Sequence, residues 1–366
     1  VESGVTATLR DVTLTTSGLG VNDIGGGIRN NGNLTVESSH FVDNRAFQNG
    51  GAIDSFNGGS LAVFNSEFRD NRSASNGSGG AIHLGNASGT NQISNTLFEN
   101  NESPNSGGAV NVSNARLIVN NGSHFVDNTA TNGGALRTSG ATYAELDAVT
   151  FEGNSATQQG GAIANNSNTG TLTIANATFD SNTAMSDGGA IAHNAAGQTL
   201  TLRDATFSEN VSQEDGGAVF VNSGTTTVVE ESQFISNRAE GAASRGGALA
   251  VINGGDITLT DTVVTSNESS AQGGGLFVDS DGTATVTGTL TTDSDGVATS
   301  ATTRFVDNQA GRDGGGIAML DESTLTVSGV LFRGNFSGDD GGGVSVTELS
   351  QATIDNANFE NNTVAE

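Results

Sequence analysis

The sequence predicts an all-β chain, a right-handed three-faced parallel β-helix (β-solenoid) of about 12 coils of ~27 residues. Three observations carry this. A Gly-Gly-small-aliphatic motif recurs twelve times along the 366 residues. A Phe-x-x-Asn motif follows it in phase, usually 18 or 19 residues later. Between the two lies a short stretch in which apolar and polar residues alternate.

The first element follows the glycines. It reads GGGI at Gly25, GGAI at Gly50, Gly79, Gly160 and Gly188, and GGAV at Gly107 and Gly216. It reads GGAL at Gly133 and Gly246, then GGGL, GGGI and GGGV at Gly273, Gly314 and Gly341. Successive spacings are 25, 29, 28, 26, 27, 28, 28, 30, 27, 41 and 27 residues. The glycine pair predicts a tight corner where a side chain would collide with the next coil. The second element is the alternating stretch, as in Asn33-Leu34-Thr35-Val36 and Thr324-Leu325-Thr326-Val327. Period two marks a strand with one buried face. The third element carries Phe41/Asn44, Phe68/Asn71, Phe98/Asn101, Phe125/Asn128, Phe151/Asn154 and Phe179/Asn182. It continues at Phe207/Asn210, Phe234/Asn237, Phe305/Asn308, Phe332/Asn335 and Phe359/Asn362, with Val264 in place of Phe before Asn267 and Leu14 as a worn first copy.

A three-strand unit of this length cannot enclose a core alone, but stacked units can, each strand bonding to its equivalent one coil away. Right-handedness follows from the preference of parallel crossovers. The aliphatic and Phe residues then form inner stripes, and the Asn amides a hydrogen-bonded ladder at a turn. The chain is expected to be one β-helix domain over 1–366, with repeats over 14–362 and an inserted loop or hairpin at about 279–303.

Composition excludes several function classes. All 13 basic residues are Arg, none is Lys, and 40 Asp plus Glu give a formal charge of −27. Such a chain repels phosphate, so no nucleic-acid partner is expected. No apolar run approaches a membrane span, so direct membrane insertion is not expected either. Without cysteine there is no disulfide, thiolate metal site or Cys nucleophile. The carboxylate excess and missing lysine point to a salt-adapted source, because salt screens self-repulsion.

The coupled GGA(I/L/V) and FxxN motifs resemble those of the chlamydial polymorphic membrane proteins, and of β-helix repeat surface proteins more broadly. The resemblance covers Leu14 to Asn362. It implies a surface-exposed, autotransporter-like passenger that acts in adhesion, hence an extracellular or cell-surface location.

The largest break in the repeat separates Gly273 from Phe305 by 32 residues. Asp-Ser-Asp-Gly occurs there twice, at Asp279/Asp281 and Asp293/Asp295. Clustered carboxylates on a loop are a candidate Ca²⁺ site, although the spacing is not that of an EF-hand. The plainer reading is a solvated acidic turn. No cofactor is required, and Ca²⁺ is the one the residues allow. Asp187, Asp215, Asp313 and Asp340 precede Gly pairs, and Asp43, Asp70, Asp127 and Asp307 precede ladder Asn residues. Stacked, these would need cations or screening, or would face salty water. His40, His83, His124 and His193 are expected at the surface. The Asn-x-Ser/Thr sequons, such as Asn86 and Asn121, are a weak signal in so polar a chain.

Three function classes follow: a non-enzymatic structural or adhesive module of a longer surface protein, a β-helix polysaccharide lyase or glycoside hydrolase, and a viral tail spike or filament subunit. The first is favoured, because arginines are scattered, Trp is absent and Tyr143 is the only Tyr. Both ends fall inside a repeat, so neighbouring domains or subunits are expected to dock there, with a host, cell-surface or matrix component as further partner.

Overall fold

The computed structural model describes residues 1–16 and 25–365. It divides into two compact units, Val1–Thr178 and Phe179–Glu366. Both are all-β, without helix among the described residues, and the strands stack as a parallel β-solenoid. The sheet of alternating strands contributes seven strands to the first unit and six to the second, so the coils number about thirteen.

In the first unit this sheet runs from Thr6–Arg10 through Asn33–Glu37 and Ser60–Phe64 to Thr171–Ala175, each strand parallel to the next. Leu34, Val36, Leu61 and Val63 point inward and are buried, as their period requires. A second sheet follows the Gly pairs, from Ile28–Asn30 to Ile163–Thr169. The third carries the Phe residues, from Thr13–Leu14 to Thr150–Glu152. The second unit repeats the arrangement, with Thr199–Arg203 and Ile191–His193 opening two of its sheets and the Phe179 strand, Thr178–Asp180, the third. A fourth strand of two residues follows the ladder Asn, as in Arg45–Ala46 paired with Arg72–Ser73. It was not expected; a two-residue strand is too short to show a period.

Inside the first unit the rings of Phe41, Phe68, Phe98, Phe125 and Phe151 stack with centroids 4.7–5.0 Å apart and planes within 12°. Each is fully buried. Burial of one such ring contributes about 1.5–3 kcal/mol, and each stacked pair ~0.5–1.5 kcal/mol more. In the second unit Phe179, Phe207 and Phe234 stack in the same way, and so do Phe305, Phe332 and Phe359.

The Asn ladder beside them uses every hydrogen-bonding capacity of the amide. Asn101 Nδ2 donates to the Phe68 carbonyl and to Asn128 Oδ1, both at 2.9 Å. Its Oδ1 accepts the Asn71 backbone N–H at 3.1 Å and Asn71 Nδ2 at 2.9 Å. Two donors and two lone pairs are all engaged. The residue before each ladder Asn sits in the left-handed region, with φ of 53° at Asp43, 55° at Asp70, 53° at Asp127 and 55° at Asp307. Short polar residues tolerate that region best, which explains these aspartates as turn formers.

The glycine corners split into two demands. The first Gly of all twelve pairs has φ between 62° and 72°. The second is held by contact: a Cβ on Gly80 would lie 2.1 Å from the Gly108 carbonyl oxygen one coil on.

Candidate functional site

The repeated residues are spent on inner ladders, so chemistry must come from outward positions, which differ from coil to coil. Four places stand out.

The insertion is a hairpin, Leu290–Thr292 antiparallel to Ala298–Ala301. It folds back over the Phe sheet of its own unit. The Ala298 N–H donates to Glu360 Oε1 at 2.9 Å, and Asn358 Nδ2 to the Gly296 carbonyl at 2.8 Å. Glu360 also accepts Arg333 Nε at 2.7 Å. The Ala298 N–H first, then Arg333, holds the Glu360 carboxyl below its usual range. The four candidate calcium ligands fall on two separate turns. Asp279 pairs with Arg245 Nη1 at 2.8 Å. Asp281 has a left-handed φ of 62° in the same turn. Asp293 closes the hairpin turn, its Oδ1 accepting the N–H groups of Asp295 at 3.0 Å and Val297 at 2.9 Å. Among the described residues no three His, Asp or Glu side chains are grouped to hold a metal ion.

The aspartates before the Gly pairs are tied to the next coil by backbone bonds. Asp187 Oδ1 accepts the Asp215 N–H at 3.2 Å, and Asp313 Oδ1 the Asp340 N–H at 3.3 Å. Arg245 is the cation of this column. It grips Asp215 through Nε and Nη2, reaches Asp279, and lies 4.6 Å from the centre of the Phe277 ring. Burial works to lower its pKa, but the two carboxylates outweigh that and the pKa is raised.

His40 is exposed and His124 half-buried on the outer face of the Phe sheet of the first unit, and they pair with Glu67 at 3.0 Å and Glu152 at 3.3 Å. They border an open depression of about 370 Å³ that also holds Leu97 and Asn95. The other two histidines correct the surface expectation. His193 is fully buried, two residues after inward-facing Ile191, so strand alternation turns it inward as well. Burial pushes its pKa down to about 4, against bonds to the backbone of Gln198 and Thr226.

His83 lies on the outer stripe of the Gly-pair sheet in the first unit. That stripe runs Arg29, Asp54, His83, Asn111, Arg137, one residue per coil. His83 Nδ1 lies 2.6 Å from Asp54 Oδ1, with side-chain exposures of 13% and 3%. A Cβ on Gly85 would be 2.6 Å from His83 Cε1, so the missing side chain makes room for the imidazole. The Arg29 guanidinium sits 4.4 Å above the Phe56 ring. At the equivalent positions of the second unit, Phe220, Ala250, Phe277 and Ala318 interlock as a buried apolar cluster. The polar stripe is therefore specific to the first unit. Sequence reading missed it because its residues share no chemical type from coil to coil; the only signal was that each directly follows the inward aliphatic of the glycine corner, Ile28, Ile53, Ile82, Val110 or Leu136, on a strand of known phase.

The profile of the Chlamydia polymorphic membrane protein repeat matches residues 148–166, 176–194 and 204–222. Its coils resemble that repeat. Each matched segment begins at a left-handed residue, Ala148, Asn176 or Asp204, and runs through the Phe-x-x-Asn motif and the glycine corner into the following strand. The polymorphic membrane protein repeat thus coincides with the part of the coil that builds the Phe stack, the Asn ladder and the corner. The alternating strand falls outside it. No curated protein and no solved structure matches the chain.

Proposed function

We infer that this chain is a non-enzymatic module displayed at the cell surface, where it serves a structural or adhesive role as part of a passenger. One observation carries the reading: three segments match the Chlamydia polymorphic membrane protein repeat in a chain folded as a parallel β-solenoid. The residues of that repeat are consumed internally. Phe, Asn and Gly build the coil, so the repeat specifies a scaffold and leaves its outward positions free to vary. Recognition then rests on outward side chains, and the partner is a host, cell-surface or matrix component.

The test is surface accessibility on intact cells of the source organism. Antibody against the chain should stain unpermeabilised cells, and external protease should remove the signal. Staining that appears only after permeabilisation overturns the reading. Steady turnover of any uronic-acid or neutral glycan by the purified chain would replace it with the hydrolase or lyase alternative.

A further inference from the structure

We propose that Asn111 and Arg137, backed by the His83–Asp54 pair, form a binding subsite for the carboxylate and adjacent hydroxyl of a uronic-acid residue. The assignment rests on the outer stripe of the first unit and is independent of where the chain is displayed.

Acidic residues outnumber basic ones by 40 to 13, so an arginine has carboxylates in excess around it. The first unit contains seven arginines. Five of them, Arg10, Arg45, Arg69, Arg72 and Arg116, pair with Asp or Glu. The other two are Arg29 and Arg137, and both lie on this one stripe, with no carboxylate partner among the described residues. Arg137 is half-buried, and burial lowers its pKa. A partly desolvated guanidinium without a counter-ion is costly, and a bound anion relieves that cost.

The neighbouring coil supplies the second observation. Asn111 stands between His83 and Arg137 in register. It is only 4% exposed, and its Oδ1 is buried with no hydrogen-bond partner. An orphaned buried acceptor calls for a donor. The cation asks for a carboxylate and the amide oxygen for a hydroxyl or N–H close to it. A uronic acid carries ring hydroxyls near its carboxylate. An acidic peptide offers only a backbone N–H on a freely rotating linkage, whereas the pyranose ring holds its hydroxyls at a fixed distance from the carboxylate, which favours the saccharide. His83, held by Asp54 and seated over Gly85, fixes the far wall of the subsite.

Net charge limits the ligand. At −27 the chain repels a long polyanion, so the subsite suits a short or sparsely charged acidic saccharide. Binding belongs at 0.15 M salt or above, where the Debye length is about 8 Å or less.

Calorimetric titration of the full chain with tri-galacturonate tests this. Saturable binding is expected, with no binding of the neutral trisaccharide of galactose. Arg137→Gln should weaken it by ~10-fold or more, as loss of a charge-assisted bidentate contact does. Asn111→Ala should weaken it by about 5-fold, and Arg116→Ala, a paired arginine on another sheet, should leave it unchanged. Thermal melting without ligand gives a second readout: Arg137→Gln should keep or raise the midpoint. Absent binding, equal binding by Arg137→Gln, or a marked fall in its melting temperature overturns the proposal. A glutamate tripeptide binding as well as the saccharide overturns the choice of ligand.

Discussion

Gly80 and Gly58 show two different needs for glycine. A Cβ on Gly80 meets the carbonyl oxygens of Gly108 at 2.1 Å and Glu102 at 2.6 Å, both backbone. At Gly58 the φ is 92° and nothing lies within 4 Å. Gly80→Ala should therefore lower stability by about 3 kcal/mol or more, whereas Gly58→Ala should cost only ~1–2 kcal/mol from its left-handed backbone. Denaturation midpoints of the two variants check the contrast. Asn101→Ala would strand the N–H and Nδ2 of Asn71 inside the coil. With each orphaned donor costing about 1–3 kcal/mol, the loss should be about 2–6 kcal/mol. Asn101→Asp should not rescue it, because a carboxylate cannot donate to Phe68 and Asn128. His193 makes a pH prediction. Its folded pKa of about 4 lies below the usual 6.5. Between those values the unfolded chain binds the proton that the folded chain refuses, so stability is whole above pH 6.5 and falls as pH drops toward 4. The total is about 3 kcal/mol. His193→Asn should flatten that part of the stability–pH curve.

At the scale of the element, the inserted hairpin is tied to the Phe sheet by the Glu360 carboxylate and by the Asn358 amide. Glu360→Gln keeps an acceptor for the Ala298 N–H but loses the charge that Arg333 stabilises. Amide exchange over residues 290–301 should rise several-fold while the Phe sheet stays protected, which mass spectrometry would resolve. The hairpin also marks where sequence reading stopped. The glycine corners, the Phe stack, the Asn ladder and the three principal strands were legible because inward positions repeat from coil to coil. Leu34, Leu61 and Leu117 carry the same residue for the same reason, since all are buried on the same face. Outward positions obey no such rule. The bond from Ala298 to Glu360 joins residues 62 apart in sequence and belongs to one coil only. His83 opposite Asp54 is equally singular. His193 was legible in principle, since alternation from Ile191 points it inward, but its residue type suggested the surface.

For the whole molecule, charge is the governing quantity. With −27 to disperse, repulsion within the chain should weaken as salt rises, so the melting temperature should climb from low salt to 1 M NaCl, where the Debye length is about 3 Å. CaCl₂ at matched ionic strength should do the same and no more, because Asp279 is engaged by Arg245 and Asp293 by its own turn. An extra rise specific to Ca²⁺ would reveal a bound ion among Asp279, Asp281, Asp293 and Asp295. Across the longest coil, 41 residues rather than ~27, Val264 still pairs with Phe305, and Asn267 still donates to Asn308 at 3.0 Å. The winding closes over extra sequence without losing step, at the modest entropic cost of a longer loop. That seam after Thr287 is thus a natural splice port: a foreign epitope grafted there would ride on the scaffold while the windings on either side kept their alignment.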